Sequence, residues 1–358
     1  MRRQRELQRI IIEVTNRCNL DCSICLRQSW NGELGDMFPA VFSKLVSDLK
    51  ELPCPPEIFF GGYGEPLSHP HILDMVQQVA TTNCRLSLIT NGILLTTELL
   101  ESLVEAGLQK LWISADSSHQ DALLHSPVNQ TQPEVLTLLG DILQQGNGLL
   151  EKLQLGLAFV LTNNNQSEIL EWINIGCEIG VRSFFITNLE AYAPTQAEEL
   201  PYTLGRLRPP GSWRMGSSGL LGKIDEITEN DPEVSIDGVL THHSDRCPFA
   251  KRGDLVLRWD GEISPCLPLL YGRTTYIGSW EYKQFSYSLG NIQDHSLKVI
   301  WDGSEYPRLR ERLLNKEFSP CLSCRDCWFS DDNRQDCQGF EHPTCGGCLW
   351  AEGLIDCP

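Results

Sequence analysis

Over the first half of the chain, short β-rich runs alternate with longer amphipathic stretches. Runs at 10–14, 57–61, 86–90, 110–115, 153–161 and 182–187 predict strands. Between them, 39–51 carries Phe42, Leu45, Val46 and Leu49 on one face of a helix, and helical spacing recurs at 70–81, 96–106, 133–145 and 166–179. Thr96 or Thr97 ahead of Glu98 and Leu99 is a helix-start signal. Strand–helix alternation repeated six times predicts an α/β fold with a parallel sheet and right-handed crossovers. Periodicity by itself allows an open sheet or one curled into part of a barrel.

The polar residues favour the barrel. Each predicted strand is followed by a polar motif: Cys18-Asn-Leu-Asp-Cys22-Ser-Ile-Cys25, Gly61-Gly62-Tyr63-Gly64-Glu65-Pro66, Thr90-Asn91-Gly92, Ser114-Ala115-Asp116, Thr162-Asn163-Asn164-Asn165 and Thr187-Asn188. Any one of these could be a turn. Six at the C-terminal ends of successive strands match where α/β barrels assemble their sites. From 191 to 246 the alternation dissolves into a Pro/Gly/Ser-rich connector. Leu255–Arg258 and Glu262–Ser264 then flank Asp260-Gly261, a hairpin signal, and 295–315 has a helical pattern. The expected division is a tail at 1–9, a partial (β/α)6 TIM-type barrel at 10–190, the connector, and a cysteine-rich domain at 247–358.

Length and charge add little beyond this. A chain of 358 residues suits one large domain and a smaller one. With 29 basic against 47 acidic side chains, the net charge of −18 repels phosphate backbones, so nucleic acid is not an expected partner. No apolar run approaches the length of a membrane span, and the basic start leads into only Ile10, Ile11 and Ile12 before Glu13. The expectation is a cytoplasmic protein with no membrane partner.

The fifteen cysteines change the picture. Cys18, Cys22 and Cys25 stand near the start. Cys247, Cys266, Cys321, Cys324, Cys327, Cys337, Cys345, Cys348 and Cys357 crowd the last third. Cys54, Cys84 and Cys177 stand alone and are read as small buried side chains. Cysteines at two-residue spacings in such a chain point to metal or clusters rather than disulfides. The first group has no fourth cysteine before Cys54. A 4Fe–4S cluster ordinarily takes four thiolates. Three leave one iron open, the mark of a catalytic rather than a structural site.

That motif resembles the radical SAM superfamily. The resemblance implies that Cys18, Cys22 and Cys25 hold a 4Fe–4S cluster whose open iron is chelated by S-adenosylmethionine. Reductive cleavage would then give a 5′-deoxyadenosyl radical that abstracts hydrogen from a substrate. The residue before the third cysteine is usually aromatic in the family; here it is Ile24. The glycine-rich segment Gly61, Gly62, Gly64 with Glu65 resembles the one that receives the methionine amino group. Ser114 and Asp116 stand where the family contacts ribose, and Thr90 and Asn91 share that rim. For these rim residues ordinary strand-end capping is the competing reading. No catalytic side chain is singled out.

The last third resembles SPASM or twitch auxiliary-cluster domains. Cys247 followed by Cys266 across a hairpin, and Leu289-Gly290-Asn291-Ile292 beyond, are similar to their opening and middle. After that the spacing departs from the common pattern. The resemblance implies one or two auxiliary 4Fe–4S clusters; nine cysteines can serve two four-ligand clusters with one left over, and several groupings satisfy the count. A zinc ribbon is the alternative, since paired Cys-x-x-Cys knuckles suit zinc equally. Cys25-Leu-Arg-Gln-Ser-Trp30, Gly35-Asp36-Met37 and Cys348-Leu-Trp-Ala-Glu-Gly-x-x-x-Cys357-Pro resemble maturases associated with tungsten-cofactor oxidoreductases. This implies a substrate protein, peptide or pterin-type cofactor and an electron donor such as flavodoxin or ferredoxin. Peptide crosslinking and dehydrogenation of a small alcohol or cyclitol are the enzymatic alternatives. Outside enzymology stand an iron–sulfur electron carrier and a zinc-bound scaffold.

Overall fold

The structure is a computed structural model that describes residues 6–30, 32–115, 135–137, 139–141, 148, 152–203, 214–215, 218–238, 247–324 and 327–358. Six parallel strands run side by side in chain order: β1 (Arg9–Ile12), β2 (Glu57–Phe60), β3 (Arg85–Thr90), β4 (Lys110–Ser114), β5 (Gln154–Leu161) and β6 (Ser183–Asn188). Helices α1 (Pro39–Glu51), α2 (Ile72–Ala80), α3 (Thr97–Glu105) and α4 (Gln166–Glu178) form crossovers. Thr96 caps α3 by accepting from the backbone N–H of Leu99. Of the helix expected at 133–145, residues 135–137 and 139–141 are helical and the remainder lies outside the described residues. Alternate strand residues separate into two apolar layers, as the period of two demands. Ile10, Ile12, Ile58 and Phe60 pack outward with the helices, while Ile11, Phe59, Trp112 and Phe185 share an inner layer.

The sheet is longer than the six-strand expectation. After the short pair β7 (Tyr202–Thr203) and β8 (Arg214–Met215), helix α5 (Ser218–Asn230) leads to β9 (Ser235–Gly238), which adds parallel to β6. Its Ser-Ile-Asp-Gly sequence has one large apolar residue, too little periodicity to read within the connector. Helix α6 (Pro248–Arg252) precedes β10 (Asp254–Leu257), which pairs parallel with β1. The hairpin expected across Asp260-Gly261 forms between β10 and β11 (Glu262–Ser264), and Gly261 has φ +94°.

Two further differences concern the last third. Strands β12 (Arg273–Ile277) and β13 (Trp280–Gln284) make an antiparallel hairpin, and β14 (Gly290–Asn291) closes the sheet edge beyond β11. The Gly278-Ser279 turn between β12 and β13, with Gly278 at φ +59°, is a two-residue hairpin signal that went unread. The single helix expected at 295–315 is two, α7 (Leu297–Asp302) and α8 (Glu305–Asn315), broken at Gly303-Ser304.

The inner layer of the barrel runs without interruption into the cysteine-rich region, because Cys345, Cys348, Leu349, Trp350, Leu354 and Ile355 share it with Ile11 and Phe185. Residues 349–358 lie across that inner face. Trp350 donates to Glu190 beyond β6 (2.8 Å), Asn188 donates to the Leu354 carbonyl (2.8 Å), and the Asp356 N–H donates to Thr187 (3.1 Å). The segment reaches Arg9 at the start of β1, whose guanidinium donates to the Cys357 sulfur (3.4 Å).

Candidate active site

Three loops converge where β1, β2 and β3 end. The first carries Cys18, Cys22 and Cys25, with Cys22 buried and the others half-buried. Burial pushes the Cys18 thiol up to about 11 and raises Cys25, while Arg27 beside it pulls Cys25 back down. Desolvated thiols of this kind become thiolates when a cation compensates them, so the donor set fits an iron cluster. The loop is braced from the far side of the barrel. Tyr192 and Gln196, after β6, both donate to the Ser23 carbonyl (2.7 and 2.6 Å). Ile24 packs against the inner layer.

Glu65 ties the second loop to the third. Its carboxylate accepts from the Leu67 N–H (2.9 Å), the Thr90 hydroxyl (2.7 Å) and the Asn91 N–H (2.8 Å). Burial holds its carboxyl up at about 7 despite these donors. Asn91 then donates to Asn19 (2.9 Å) and lies 3.8 Å from the Cys18 sulfur. The sequence-predicted residues Glu65, Thr90 and Asn91 therefore form one chain ending at the cysteine loop. Glu65 thereby fixes Leu67, Thr90 and Asn91 in place.

Of the three glycines, Gly64 is set against backbone, and Gly61 and Gly62 against side chains. A Cβ on Gly64 would fall 2.1 Å from the Thr15 carbonyl and 2.7 Å from that of Arg17, at the base of the cysteine loop. Gly62 has φ +117°, and a Cβ there would meet the Glu13 side chain at 2.8 Å. Gly61 is buried with Phe59 and Ile89 as the nearest neighbours of an added Cβ. Ser114 is half-buried at the end of β4, in register with Ala158 of β5. Asp116 lies outside the described residues.

Glu13 and Tyr271, which sequence reasoning missed as site residues, meet Trp30 and Tyr63 of the quoted motifs. Glu13 accepts from the Tyr63 N–H (3.0 Å) and makes a short hydrogen bond from the Tyr271 hydroxyl. Trp30 stacks on Tyr271 with centroids 4.5 Å apart and meets Tyr63 edge-on at 4.9 Å. Asn16 links this group to Gly35, whose N–H it accepts (2.8 Å), and donates to the Tyr271 hydroxyl (3.2 Å). Below it, Arg273 donates to the Tyr63 hydroxyl (3.1 Å) and pairs with Glu190 (2.9 Å). Glu13 and Tyr271 are 258 residues apart, and no local pattern announces their pairing.

The nine later cysteines fall into three places. Cys247, Cys266, Cys345 and Cys348 line one apolar cavity with Phe249 and Trp350. Burial pushes Cys247 up to about 12 and Cys348 to about 11, and raises Cys266 and Cys345 well above the usual thiol range. Burial and then the Asp336 carboxylate push Cys321 up to about 12, with Cys337, Cys324 and Cys327 close enough to add to the rise; Cys324 and Cys337 are exposed. Ser319 lies 3.2 Å from the Cys337 sulfur. The two quartets adjoin, since the Leu322 N–H donates to the Gly346 carbonyl (3.1 Å). Cys357 stands apart, between Arg9 and Arg252 (3.4 and 3.7 Å). No three His, Cys, Asp or Glu side chains among the described residues close to single-ion distances. The cysteines are grouped instead by the cavity they line and the fields they exert on one another. Of the three lone cysteines, Cys84 is buried as expected, Cys177 is half-buried and Cys54 is exposed. Cys54 sits in the loop after α1, where it meets solvent rather than the core.

Comparison with known proteins extends both halves of this description. Residues 12–146 match the radical SAM superfamily and residues 247–328 match the SPASM iron–sulfur cluster-binding domain. The tungsten-containing aldehyde ferredoxin oxidoreductase cofactor-modifying protein of Pyrococcus furiosus is 31% identical over 356 residues, 98% of this chain and 96% of its own. An S-adenosyl-L-methionine-dependent 2-deoxy-scyllo-inosamine dehydrogenase of Niallia circulans is 35% identical over 109 residues, 29% of this chain and 43% of its own. Among solved structures, Streptococcus suis SuiB bound to S-adenosylmethionine superposes with TM-score 0.59 at 16% identity, over 89% of this chain and 71% of SuiB. BtrN in complex with AdoMet and 2-DOIA superposes with TM-score 0.51 at 19% identity, over 90% and 93%. These two share the fold. No helix among the described residues is long and apolar enough to cross a membrane. The chain belongs to the radical SAM superfamily and carries a SPASM extension, and it is an enzyme that works with a 4Fe–4S cluster, S-adenosylmethionine and auxiliary iron–sulfur clusters.

Proposed function

We propose that this enzyme matures a tungsten-dependent oxidoreductase by modifying its pterin-type cofactor. The observation that carries the reading is the near full-length similarity to the Pyrococcus furiosus cofactor-modifying protein, which spans both cysteine regions. The motif residues shared with such maturases support it, because they gather at the site. Trp30 stacks on Tyr271, Asp36 accepts from the Thr15 hydroxyl (2.6 Å) beside the cysteine loop, and Trp350 donates to Glu190.

Cys18, Cys22 and Cys25 hold the cluster that S-adenosylmethionine joins. When bound, that pair supplies the electron and the 5′-deoxyadenosyl radical that takes hydrogen from the substrate. The chain's own residues position and shield. Gly62 and Gly64 let the second loop approach the chain leading from β1, Gly61 packs beside Phe59 and Ile89, and Glu65, Thr90 and Asn91 hold the rim. On the family resemblance, Ser114 and Asp116 would contact the ribose. Trp30, Tyr63 and Tyr271 cover one side of the barrel mouth and keep water from it. Cys247, Cys266, Cys345 and Cys348 hold one auxiliary cluster, and Cys321, Cys324, Cys327 and Cys337 hold a second. A flavodoxin or ferredoxin is the electron donor.

The test is substrate-stimulated turnover. Reduced enzyme is mixed with S-adenosylmethionine and either tungstopterin cofactor released from an aldehyde oxidoreductase, a cysteine-containing peptide, or a cyclitol. Stimulation of 5′-deoxyadenosine release by the cofactor, with a mass change in the pterin, is expected. Stimulation only by peptide or cyclitol overturns the reading in favour of crosslinking or dehydrogenation.

A further inference from the structure

Tyr282 sits on β13 with its side chain fully buried, and its hydroxyl has no hydrogen-bond partner. A buried hydroxyl without a partner is costly, and native cores keep few of them. The residue is held on the buried face of the β12–β13 hairpin, opposite Thr275, and Trp280 packs on its ring at 5.2 Å. Its surroundings say what the missing partner is. The ring end presses on the Cys345-Gly-Gly-Cys348 loop, where a Cβ on Gly347 would lie 2.5 Å from Cε2 and 3.0 Å from the hydroxyl. Gln284, two residues on, lines the cavity that holds Cys247, Cys266, Cys345 and Cys348.

We infer that the Tyr282 hydroxyl donates a hydrogen bond to the sulfur shell of the cluster on Cys247, Cys266, Cys345 and Cys348, and thereby raises that cluster's reduction potential. The inference rests on the proposed assignment of those four cysteines as ligands. Thiolates and cluster sulfides are acceptors, and hydrogen bonds to them are among the factors that set the potential. A donor aimed at sulfur favours the reduced cluster, which carries one more electron. Tyr282 is a positioning and tuning residue.

The experiment compares anaerobically reconstituted wild type with Tyr282→Phe, which keeps the ring and removes only the orphan oxygen. Iron and sulfide are counted first, and each cluster is then titrated potentiometrically by electron paramagnetic resonance. Equal iron is expected, with one auxiliary cluster harder to reduce by about a tenfold change in its one-electron equilibrium, ~59 mV. The cluster on Cys18, Cys22 and Cys25 keeps its potential. Iron–sulfur stretching bands sensitive to H/D exchange in wild type lose that sensitivity in the variant. Equal iron with unchanged potentials and bands overturns the role of Tyr282 and leaves the ligand assignment standing. Loss of iron in the variant also overturns it, since Tyr282 is then a packing residue. A Cys247→Ala/Cys348→Ala protein that retains all its auxiliary iron overturns the ligand assignment itself, and the inference with it.

Discussion

Arg273 and Glu190 form a buried ion pair in which both carboxylate oxygens accept from the guanidinium, at distances from 2.9 to 3.2 Å. Glu190 follows β6 of the barrel and Arg273 opens β12, so the pair joins the two halves of the chain. Trp350 and Tyr63 complete it. Breaking such a pair from one side strands a buried charge. Arg273→Met should cost about 3–5 kcal/mol by anaerobic chemical denaturation. Arg273→Met with Glu190→Leu should recover much of that loss, because no charge is then left alone.

Gly64 makes a sharper prediction than Gly62. An added methyl at 64 collides with the Thr15 and Arg17 carbonyls that lead into the cysteine loop. Gly64→Ala should lower iron at the three-cysteine site while both auxiliary clusters remain, as read by Mössbauer spectroscopy. Gly62→Val, by contrast, strains a positive φ and displaces Glu13, so it should destabilise the fold itself.

On the proposed assignment of the two quartets, Cys357 is the cysteine left over. Its sulfur meets Arg9 and Arg252, while Asp254 and Asp356 complete the charge balance there. Cys357→Ser should keep the full iron and sulfide count. Cys247→Ala should lose one cluster. Loss of iron in Cys357→Ser would move it into the ligand set.

Glu13 gives stability a pH dependence. Burial raises its carboxyl from 4.5 to about 7 against the opposing pull of Tyr271, Tyr63 and Arg258, with Asp260 adding to the rise. The folded state therefore holds a proton that the unfolded chain has released above pH 4.5. Its contribution is complete below that pH and is lost as pH climbs towards 7, by up to about 1.4 kcal/mol per unit. Unfolding followed from pH 5.5 to 7.5 should show this slope in wild type and a shallower one in Glu13→Gln. An equal slope in both would assign the effect elsewhere.

The barrel was legible because its signals are local. Apolar runs mark the parallel strands, and the cysteine and glycine motifs mark their ends. Glu65, Thr90 and Asn91 came with those motifs. The partners Glu13 and Tyr271 are 258 residues apart and meet only through the long-range course of the chain. The β12–β13 hairpin alternates buried with polar positions, as Trp280, Glu281, Tyr282 and Lys283 show, and its polar face hid it among loops. The count of nine cysteines was readable, but their partition depends on which loops adjoin in space.

The central claim is that Cys18, Cys22 and Cys25 support reductive cleavage of S-adenosylmethionine. Reconstituted wild type and the variant with all three replaced by Ala are reduced with dithionite, given S-adenosylmethionine without substrate, and assayed for 5′-deoxyadenosine and methionine. Slow formation of both products by wild type is predicted, with none above background from the variant while its auxiliary iron persists. Undiminished 5′-deoxyadenosine from the variant would contradict the account.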